Sequence, residues 1–257
     1  MTNEYAIITG ASSGIGLEFS KLLAKKGYNL VLVARRTDRL EKLKAEILQT
    51  DKIDIQLVSM DLSEKEAPNE LLAFTQKNNL TISVLVNNAG FGANGEFFSV
   101  PIERTIEMLN LNMVTLTHLT YLFGLEMKKN NNGYILQVAS IGAFQPSPYV
   151  SAYSATKAYV MLFSEGLDFE LKDSNVSVTT LYPGATRTEF FEVSDTKINA
   201  IIENSMQSAK KVASIALNAM FKRQRSIVPG FMNKLTAFIT QLSPRKLTTW
   251  AAAKLMH

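Results

Sequence analysis

Four side chains in the middle of the chain combine hydroxyl groups, an amide and a cation: Asn112, Ser140, Tyr153 and Lys157. Tyr153 and Lys157 are four residues apart, so in a helix they share one face and the Lys157 ammonium lies beside the Tyr153 phenol. A neighbouring positive charge favours phenolate and lowers the pKa of a tyrosine from its ordinary value of about 10. The pair therefore predicts a tyrosine that acts as general acid or base near neutral pH.

Ser140 ends an apolar run at 133–140, where its hydroxyl can hydrogen-bond a substrate carbonyl and stabilise a developing oxyanion. Each of these residues alone has a structural alternative: a helix-face pair, a strand-end hydroxyl and, for Asn112, a buried amide. The chain has no Cys and two His, His118 and His257. That composition excludes thiol catalysis, Cys-ligated metal and a multi-His metal site, and we expect no metal.

A glycine-rich turn, Thr9–Gly16, stands between the first predicted strand and the first predicted helix. Gly10 permits a tight turn, Gly14 lets the backbone approach phosphates, and Gly16 lets the helix pack close to the strand. This arrangement places a pyrophosphate at a helix N-terminus, and a tight turn without a ligand is the alternative. The residues expected to bind a dinucleotide here are Gly10, Ser12, Ser13, Gly14, Ile15 and Gly16. No Gly-Lys-Ser/Thr follows, which excludes a P-loop.

The end of the second predicted strand distinguishes the two nicotinamide cofactors. A carboxylate at this point would hold the ribose hydroxyls of NAD, but the chain has Ala34 followed by Arg35 and Arg36. A guanidinium fork suits a 2′-phosphate, so the sequence favours NADP(H). The alternative is that both arginines only begin a solvated helix.

Alternating apolar runs and amphipathic stretches position these residues. The predicted strands are 5–9, 29–34, 55–59, 83–87, 133–140, 176–182 and 226–229. The predicted helices are 15–26, 37–50, 64–77, 102–129, 152–171 and 208–223. The strands are continuously apolar, which indicates a parallel sheet covered on both faces. We predict an α/β fold, a single doubly wound, Rossmann-like parallel sheet in one domain over 1–257, with a substrate loop at 186–206.

Several motifs occur in an order typical of one enzyme family: Thr9–Gly16, Asp61-Leu62, Asn87-Asn88-Ala89-Gly90, Asn112, Ser140, Tyr153-x3-Lys157 and Pro183-Gly184. In these motifs the chain resembles the short-chain dehydrogenase/reductase family over about 190 residues. The basic pair after the second strand is similar to its NADP-preferring members. The region from 208 through 227–234 resembles a bacterial branch related to 3-oxoacyl reductases and hydroxysteroid dehydrogenases.

The resemblance implies further roles. Lys157 would also bind the nicotinamide ribose, and Asn112 would hold a water that links Lys157 to solvent. Asp61, with Leu62, would contact the adenine, and Asn88, Ala89 and Gly90 would flank the adenosine. The residues implied for the nicotinamide carboxamide are Pro183, Gly184, Thr186 and Thr188.

These observations predict an NADPH-dependent carbonyl reductase that also runs as an alcohol dehydrogenase, with Tyr153 as general acid/base. Aromatic residues near the loops predict an apolar pocket for a hydrophobic ketone, aldehyde or 3-oxoacyl thioester, although they could equally serve packing: Phe91, Phe97, Phe98, Phe144, Phe190 and Phe191. An NADPH-binding sensor without turnover is the alternative, against which the complete set of catalytic residue types argues. A sugar epimerase usually needs a larger C-terminal substrate domain.

The basic charge is concentrated at the C-terminus. Glu203 is the last acidic residue; residues 1–203 carry a net charge of −5 and residues 204–257 carry +9. The C-terminal segment 231–257 has apolar residues at helical spacing on both sides of Pro244. It could cover the pocket, pack on a second subunit, contact anionic lipid, or dock an acidic carrier protein. The family resemblance implies a homodimer or homotetramer built on the helices of Asn112 and Tyr153. No nucleic-acid motif, signal peptide or spanning helix is evident, so we expect a cytoplasmic protein.

Overall fold

A seven-stranded parallel sheet forms the centre of the molecule in a computed structural model that describes residues 4–194 and 200–256. Its strands are β1 (Glu4–Thr9), β2 (Asn29–Ala34), β3 (Ile55–Ser59), β4 (Thr81–Asn87), β5 (Gly133–Val138), β6 (Val176–Leu181) and β9 (Ser226–Ile227), in the order β3-β2-β1-β4-β5-β6-β9. Two further short strands, β7 (Thr186–Arg187) and β8 (Gln207–Ser208), pair with each other in parallel. The predicted fold class is confirmed.

Helices cover both faces of the sheet. They are α1 (Gly14–Lys25), α2 (Thr37–Leu48), α3 (Ala67–Lys77), α4 (Ile102–Leu109), α5 (Leu116–Lys129), α6 (Ser151–Glu170), α7 (Phe190–Val193), α8 (Ala200–Ser205), α9 (Ala209–Phe221), α10 (Phe231–Leu242) and α11 (Arg245–Met256). The core has two main clusters, one on each face: α1, α2 and α9 contribute to the first, and α3, α5 and α6 to the second. Strands buried on both faces explain the continuous apolar runs of the sequence.

The strand order reverses beside β1, which pairs with β2 on one side and β4 on the other. The glycine-rich turn follows β1, Asn88–Gly90 follows β4, Ser140 follows β5 and Pro183-Gly184 follows β6. In a parallel sheet these strand ends meet at one edge, and a crevice opens there at the switch point. All the predicted motifs therefore lie at the carboxyl edge.

The predicted single helix over 102–129 is wrong, because a π-helical segment at Asn110–Thr115 separates α4 from α5. Asn112 lies in this segment, and its buried side chain is hydrogen-bonded outside the helix. Such π segments frequently occur at functional sites. The third helix also begins later than predicted, at Ala67 rather than Glu64, with Pro68 in its first turn.

The substrate loop is closed at its base. Thr186 pairs with Gln207 and Arg187 pairs with Ser208 across β7 and β8. Residues 195–199 of the predicted loop 186–206 lie outside the described residues.

The last two helices expose apolar side chains. In α10, Asn233, Ala237 and Gln241 share one face, where Ala237 is buried and Asn233 donates to the Pro229 carbonyl at 2.8 Å. The opposite face is apolar and exposed: Phe231, Met232, Leu235, Phe238, Ile239 and Leu242. In α11, Leu247 and Trp250 are also exposed. These two helices therefore turn part of their apolar surface away from the protein.

Candidate active site

Tyr153 and Lys157 lie on the first turns of α6, beside the carboxyl end of β5. The Lys157 ammonium is buried, donates to the Val138 carbonyl at 2.9 Å, and lies 5.7 Å from the centroid of the Tyr153 ring. Ser140 adopts an extended conformation and its hydroxyl accepts from the Gly142 N–H at 3.0 Å. The predicted Ser–Tyr–Lys cluster is thus assembled in one place.

The two ionisable groups of this cluster are shifted by burial. Desolvation raises the pKa of the Tyr153 phenol to about 12, and a hydrogen bond with Ser140 opposes the rise. Desolvation also lowers the pKa of the Lys157 ammonium to about 8. The prediction that Lys157 lowers the Tyr153 pKa is therefore wrong for the protein by itself, because Lys157 bonds to Val138 and burial is the largest influence on the phenol. Tyr153 is protonated at neutral pH.

Asn112 connects the turn after β4 to α6, the helix that carries Tyr153 and Lys157. Its Nδ2 donates to the Phe91 carbonyl at 3.0 Å and lies 3.1 Å from the Thr156 hydroxyl, while its Oδ1 accepts from the Phe91 N–H at 3.2 Å. A Cβ on Gly90 would lie 2.8 Å from that Oδ1 and 3.6 Å from Lys157 Nζ, so Asn112, Gly90 and Lys157 are neighbours. The side chain holds the backbone in place; its water relay stays a prediction.

The glycine-rich turn and the Asn88–Gly90 turn are joined through Thr9. Its hydroxyl accepts from the backbone N–H groups of Asn88 and Ala89, both at 2.9 Å. Gly10 and Gly14 have φ angles of +68° and +55°, which favour glycine. A Cβ on Gly16 would overlap the Gly10 carbonyl and lie 2.5 Å from Asn88 Nδ2. Glycine is thus required at Gly10 and Gly14 by their φ angles, and at Gly16 by the closeness of the Gly10 carbonyl.

The N-terminus of α1 has the features of a phosphate site. Ser13 is its N-cap residue but provides no side-chain cap hydrogen bond, and no acidic residue occupies the first turn. Ile15 follows within this turn. Backbone N–H groups at a helix start are therefore available to an anion.

Arg35, at the end of β2, lies near two acidic residues, one after the neighbouring strand β3 and one on α4. Its Nη1 lies 3.4 Å from Asp61 Oδ2 and 3.5 Å from Glu107 Oε1. Burial tends to raise the pKa of Asp61, but hydrogen bonds from Ser63 and the charge of Arg35 lower it overall. The neighbouring Leu62 is buried. Arg35 is thus held next to Asp61, for which the family resemblance implies a contact with the adenine.

Arg36 lies between the glycine-rich turn and the substrate loop. Its Nη2 is 3.3 Å from the Ser12 hydroxyl, and its Nη1 donates to Glu189 Oε2 at 2.9 Å. Arg39 in the first turn of α2 pairs with the other oxygen of Glu189. The sequence analysis did not identify Arg39 and Glu189, because their ion pairs join residues that are far apart in the chain.

The substrate loop crosses the crevice. The side chain of Thr188 would lie 3.0 Å from a Cβ on Gly14, and the rings of Phe190 and Tyr153 are 5.4 Å apart. Of the other aromatic residues, Phe144 packs on Tyr182 and Phe98 is 98% exposed. Phe190 is therefore the aromatic residue that the loop brings to Tyr153.

The Pro183–Thr188 segment is fixed by its own hydrogen bonds and by α10. The Pro183 carbonyl accepts from the Ile141 N–H at 3.0 Å, and the Thr186 hydroxyl donates to the Gly184 carbonyl at 2.9 Å. A Cβ on Gly184 would lie 2.5 Å from Asn233 Nδ2. The polar face of α10 thus packs directly against the predicted nicotinamide segment.

No group of three or more metal-ligating side chains occurs in 4–194 and 200–256. Across the same ranges, no helix combines the length and hydropathy needed to span a bilayer. A surface hollow lies among α3, α5 and the start of β4, lined by Leu72, Thr81, Phe123 and others. It is at the amino end of the strands, away from Tyr153, whereas ligands of open parallel sheets bind at the carboxyl ends.

The sequence model of the family described as short chain dehydrogenase matches residues 4–199. The chain belongs to the short-chain dehydrogenase family. Within this family, very-long-chain 3-oxoacyl-CoA reductase of Kluyveromyces lactis is 34% identical over 184 residues, which cover 68% of this chain and 52% of that protein. The 7beta-hydroxysteroid dehydrogenase of Mediterraneibacter gnavus is 29% identical over 233 residues, or 90% of this chain and 88% of that one.

A solved member of the short-chain dehydrogenase family, the short-chain dehydrogenase from Sphingobium yanoikuyae in complex with NADPH, is 28% identical and superimposes with a TM-score of 0.83 over 92% of both chains. The alignments with the 3-oxoacyl-CoA reductases of Kluyveromyces lactis and Bos taurus span 52% and 62% of those proteins. These relatives and this solved structure are named as reductases or dehydrogenases.

Proposed function

We propose that this chain is an NADPH-dependent carbonyl reductase that also runs in reverse as an alcohol dehydrogenase. The observation that carries the proposal is the cluster of Ser140, Tyr153 and Lys157 at the carboxyl edge, next to the glycine-rich turn. A phenol with a pKa of about 12 carries its proton at neutral pH and can donate it to a carbonyl oxygen.

The residues present fit a dinucleotide. Gly10, Gly14 and Gly16 have no side chains of their own, so the backbone N–H groups at the start of α1 can approach a phosphate closely. Arg36, with Ser12 at 3.3 Å, would hold a 2′-phosphate, and Asp61 and Leu62 would lie beside the adenine. Asn88, Ala89 and Gly90 would flank the adenosine. The segment with Pro183, Gly184, Thr186 and Thr188 would hold the carboxamide.

In the proposed reaction, bound NADPH supplies a hydride to the carbonyl carbon. Tyr153 donates its phenolic proton to the carbonyl oxygen, so that the ketone or aldehyde becomes an alcohol. Ser140 hydrogen-bonds that oxygen and stabilises the charge that develops on it. Lys157 would hold the ribose and return a proton towards Tyr153, with Asn112 positioning the relay.

We propose a hydrophobic carbonyl substrate. Phe190 packs against Tyr153, and a Cβ on Gly92 would lie 3.1 Å from Phe190 and 3.6 Å from Tyr153. An apolar wall next to the proton donor suits a ketone, an aldehyde or a 3-oxoacyl thioester with an apolar chain. The reductase of Kluyveromyces lactis and the steroid dehydrogenase of Mediterraneibacter gnavus are named for substrates of this character.

The test is NADPH oxidation, followed by absorbance, against acyl thioesters, steroids, cyclic ketones and aldehydes. Tyr153→Phe should lower turnover by about 100-fold or more while NADPH binding persists. Tyr159→Phe is the matched control, because that phenol lies on the same helix and bonds to Thr117 away from the crevice. Undiminished turnover in Tyr153→Phe contradicts the mechanism. Tight NADPH binding with no turnover on any carbonyl favours a cofactor-sensing protein instead.

We propose a homo-oligomer built on α5 and α6. Both helices expose large apolar side chains at helical spacing: Tyr121 and Leu125 on α5, Leu162 and Phe169 on α6. A contiguous exposed apolar surface of this kind marks an interface. Leu162→Glu should reduce the oligomer to a smaller species in light scattering, whereas an unchanged mass would contradict this interface.

We propose that the apolar face of α10 and α11 rests on an anionic lipid surface in cells, so that the protein is cytoplasmic but peripherally membrane-associated. The face includes Phe238, Leu242 and Trp250, and Lys254 lies 4.1 Å from the Trp250 ring. These two helices contain four cations, Lys234, Arg245, Lys246 and Lys254, and no acidic side chain. A twofold self-interface on this face would bring like charges together, whereas anionic headgroups complement them.

Cosedimentation with phosphatidylcholine vesicles, with and without phosphatidylglycerol, tests the lipid contact. Binding should require the anionic lipid, weaken at high salt and be lost in Phe238→Ser/Trp250→Ser. Phe98→Ser, which removes a still more exposed ring elsewhere, should bind normally. Failure to bind anionic vesicles overturns the proposal, as does a change of oligomeric mass in Phe238→Ser/Trp250→Ser or selective binding of an acidic carrier protein in place of lipid.

A further inference from the structure

Glu189 is bound to two arginines at the mouth of the crevice. Its Oε2 accepts from Arg36 at 2.9 Å, and its Oε1 pairs with Arg39. The hydrogen bonds from Arg39 and then Arg36 lower the pKa of the Glu189 carboxyl, which is therefore ionised at neutral pH. A permanent negative charge from the substrate loop thus lies on the basic turn after β2.

This contact joins the substrate loop to the basic turn after β2 and, through Arg36, to the glycine-rich turn. Arg36 reaches Ser12 in the glycine-rich turn with its other terminal nitrogen, at 3.3 Å. Thr188, next to Glu189, lies against Gly14 in the same turn. The loop therefore meets both the turn that would hold the pyrophosphate and the guanidinium that would hold the 2′-phosphate.

The acidic partner is specific. Arg35 is engaged elsewhere, with Asp61 and Glu107. Glu192 lies on the next turn of the loop but is exposed and forms no ion pair within the described residues. Glu189 is thus the loop carboxylate that neutralises Arg36 and Arg39.

We propose that Glu189 competes with the 2′-phosphate of NADPH for Arg36 and Arg39 and thereby sets how strongly the protein prefers NADPH over NADH. The proposal rests on the 2′-phosphate role of Arg36 given above. A phosphate dianion that approaches Arg36 must displace the carboxylate or lie beside it, and both are unfavourable. NADH carries no charge at this position, so its affinity is insensitive to the carboxylate. Entry of NADPH is in this way coupled to displacement of the loop.

Equilibrium titration of the full chain with NADPH and NADH, followed by cofactor fluorescence, tests the proposal. Glu189→Gln should tighten NADPH binding by about 3- to 10-fold, since each partly exposed ion pair contributes modestly. NADH binding should stay within about twofold. Glu192→Gln is the matched control and should change neither affinity. High salt should reduce the gain, because it screens both anions.

A double-mutant cycle identifies the partners of the carboxylate. In an Arg36→Ala/Arg39→Ala background, Glu189→Gln should no longer change NADPH affinity. Weaker NADPH binding in Glu189→Gln would mean that the carboxylate latches the loop over the cofactor, which overturns the proposal. An unchanged ratio of NADPH to NADH affinity in Glu189→Gln overturns it as well.

The arginine variants separate this inference from the proposed function. If Arg36→Ala/Arg39→Ala lowers NADPH affinity far more than NADH affinity, the 2′-phosphate role stands and the Glu189 result decides the competition by itself. If the same variant leaves the ratio unchanged, the 2′-phosphate role of Arg36 is wrong and the competition falls with it. Turnover on a carbonyl remains a separate measurement through Tyr153.

Discussion

The two halves of the crevice are built differently. On the side of β1 and β4, backbone groups and buried hydroxyls such as Thr9 fix the glycine-rich turn to the Asn88–Gly90 turn. On the side of the loop after β6, exposed ion pairs of Glu189 and the ring contact of Phe190 make the connections. Buried backbone contacts determine where the chemistry takes place. Exposed side-chain contacts are weaker and more easily exchanged, so under the proposed function they would leave cofactor preference and substrate range adjustable.

Gly16→Ala should have the largest effect on stability, because Gly16 lies in the half of the crevice that buried backbone contacts hold in place. A Cβ at this position would overlap the Gly10 carbonyl, and neither backbone can move without disturbing β1. We expect a loss of about 3 kcal/mol in the free energy of unfolding, measured by urea denaturation. Gly124→Ala is the control: its Cβ would meet only Ile135 at 3.8 Å, so a helix interior gains stability. Equal losses in both variants would show that the close approach at Gly16 does not cause the destabilisation.

Asn112→Ala should have the second-largest effect, a loss of about 2 kcal/mol in the free energy of unfolding. The change leaves the Phe91 N–H and carbonyl, buried with Asn112, without their partner. Chemical denaturation measures the loss. A loss in the free energy of unfolding below about 0.5 kcal/mol would show that these hydrogen bonds contribute little to stability.

Lys157→Met should stabilise the protein at pH 7 by about 1–2 kcal/mol while abolishing turnover. Burial lowers the Lys157 pKa from 10.5 to about 8, so below pH 8 the folded protein carries a buried charge. Between pH 8 and 10.5 the unfolded chain binds the proton and the folded protein does not, so wild-type stability rises with pH in that window. The advantage of Lys157→Met should therefore shrink from pH 7 to pH 10, as urea denaturation would measure. A constant difference would mean that Lys157 is not desolvated.

Phe238→Ser should have the smallest effect on stability, about 0.5 kcal/mol or less, although it removes a large apolar side chain. The ring is 62% exposed on α10. Thermal unfolding in the absence of lipid measures the change. A loss comparable to that of Asn112→Ala would show that the ring is covered in the free protein, and that α10 belongs to the rigid part of the molecule.

The difference between the halves also explains what could be predicted from the sequence. The glycine-rich turn, Asn88–Gly90, Ser140 and Tyr153 are motifs whose spacing is dictated by backbone geometry, and each lies where it was predicted. The ion pairs of Glu189 join residues far apart in the chain, and no local spacing announces them. The π-helical segment was missed because 102–129 has a continuous helical pattern and the bonds of Asn112 are tertiary.

The predicted direction of the Tyr153 pKa shift was wrong for another reason. The prediction considered only the charge of Lys157, four residues away, whereas desolvation depends on all the groups packed around the phenol. Sequence spacing carries no information on that packing. The direction of the shift therefore required the three-dimensional environment.

The short pairing of β7 with β8 has a consequence for how this site can change. It brings the two ends of the substrate loop together independently of what lies between them. The entropy of closing a flexible loop grows only logarithmically with length, by about 0.6 kcal/mol per doubling. Insertions or deletions between Thr188 and Met206 should therefore alter the wall facing Tyr153 with little loss of folding stability. Changes of loop length could thus alter the substrate range while the residues around Tyr153 stay the same.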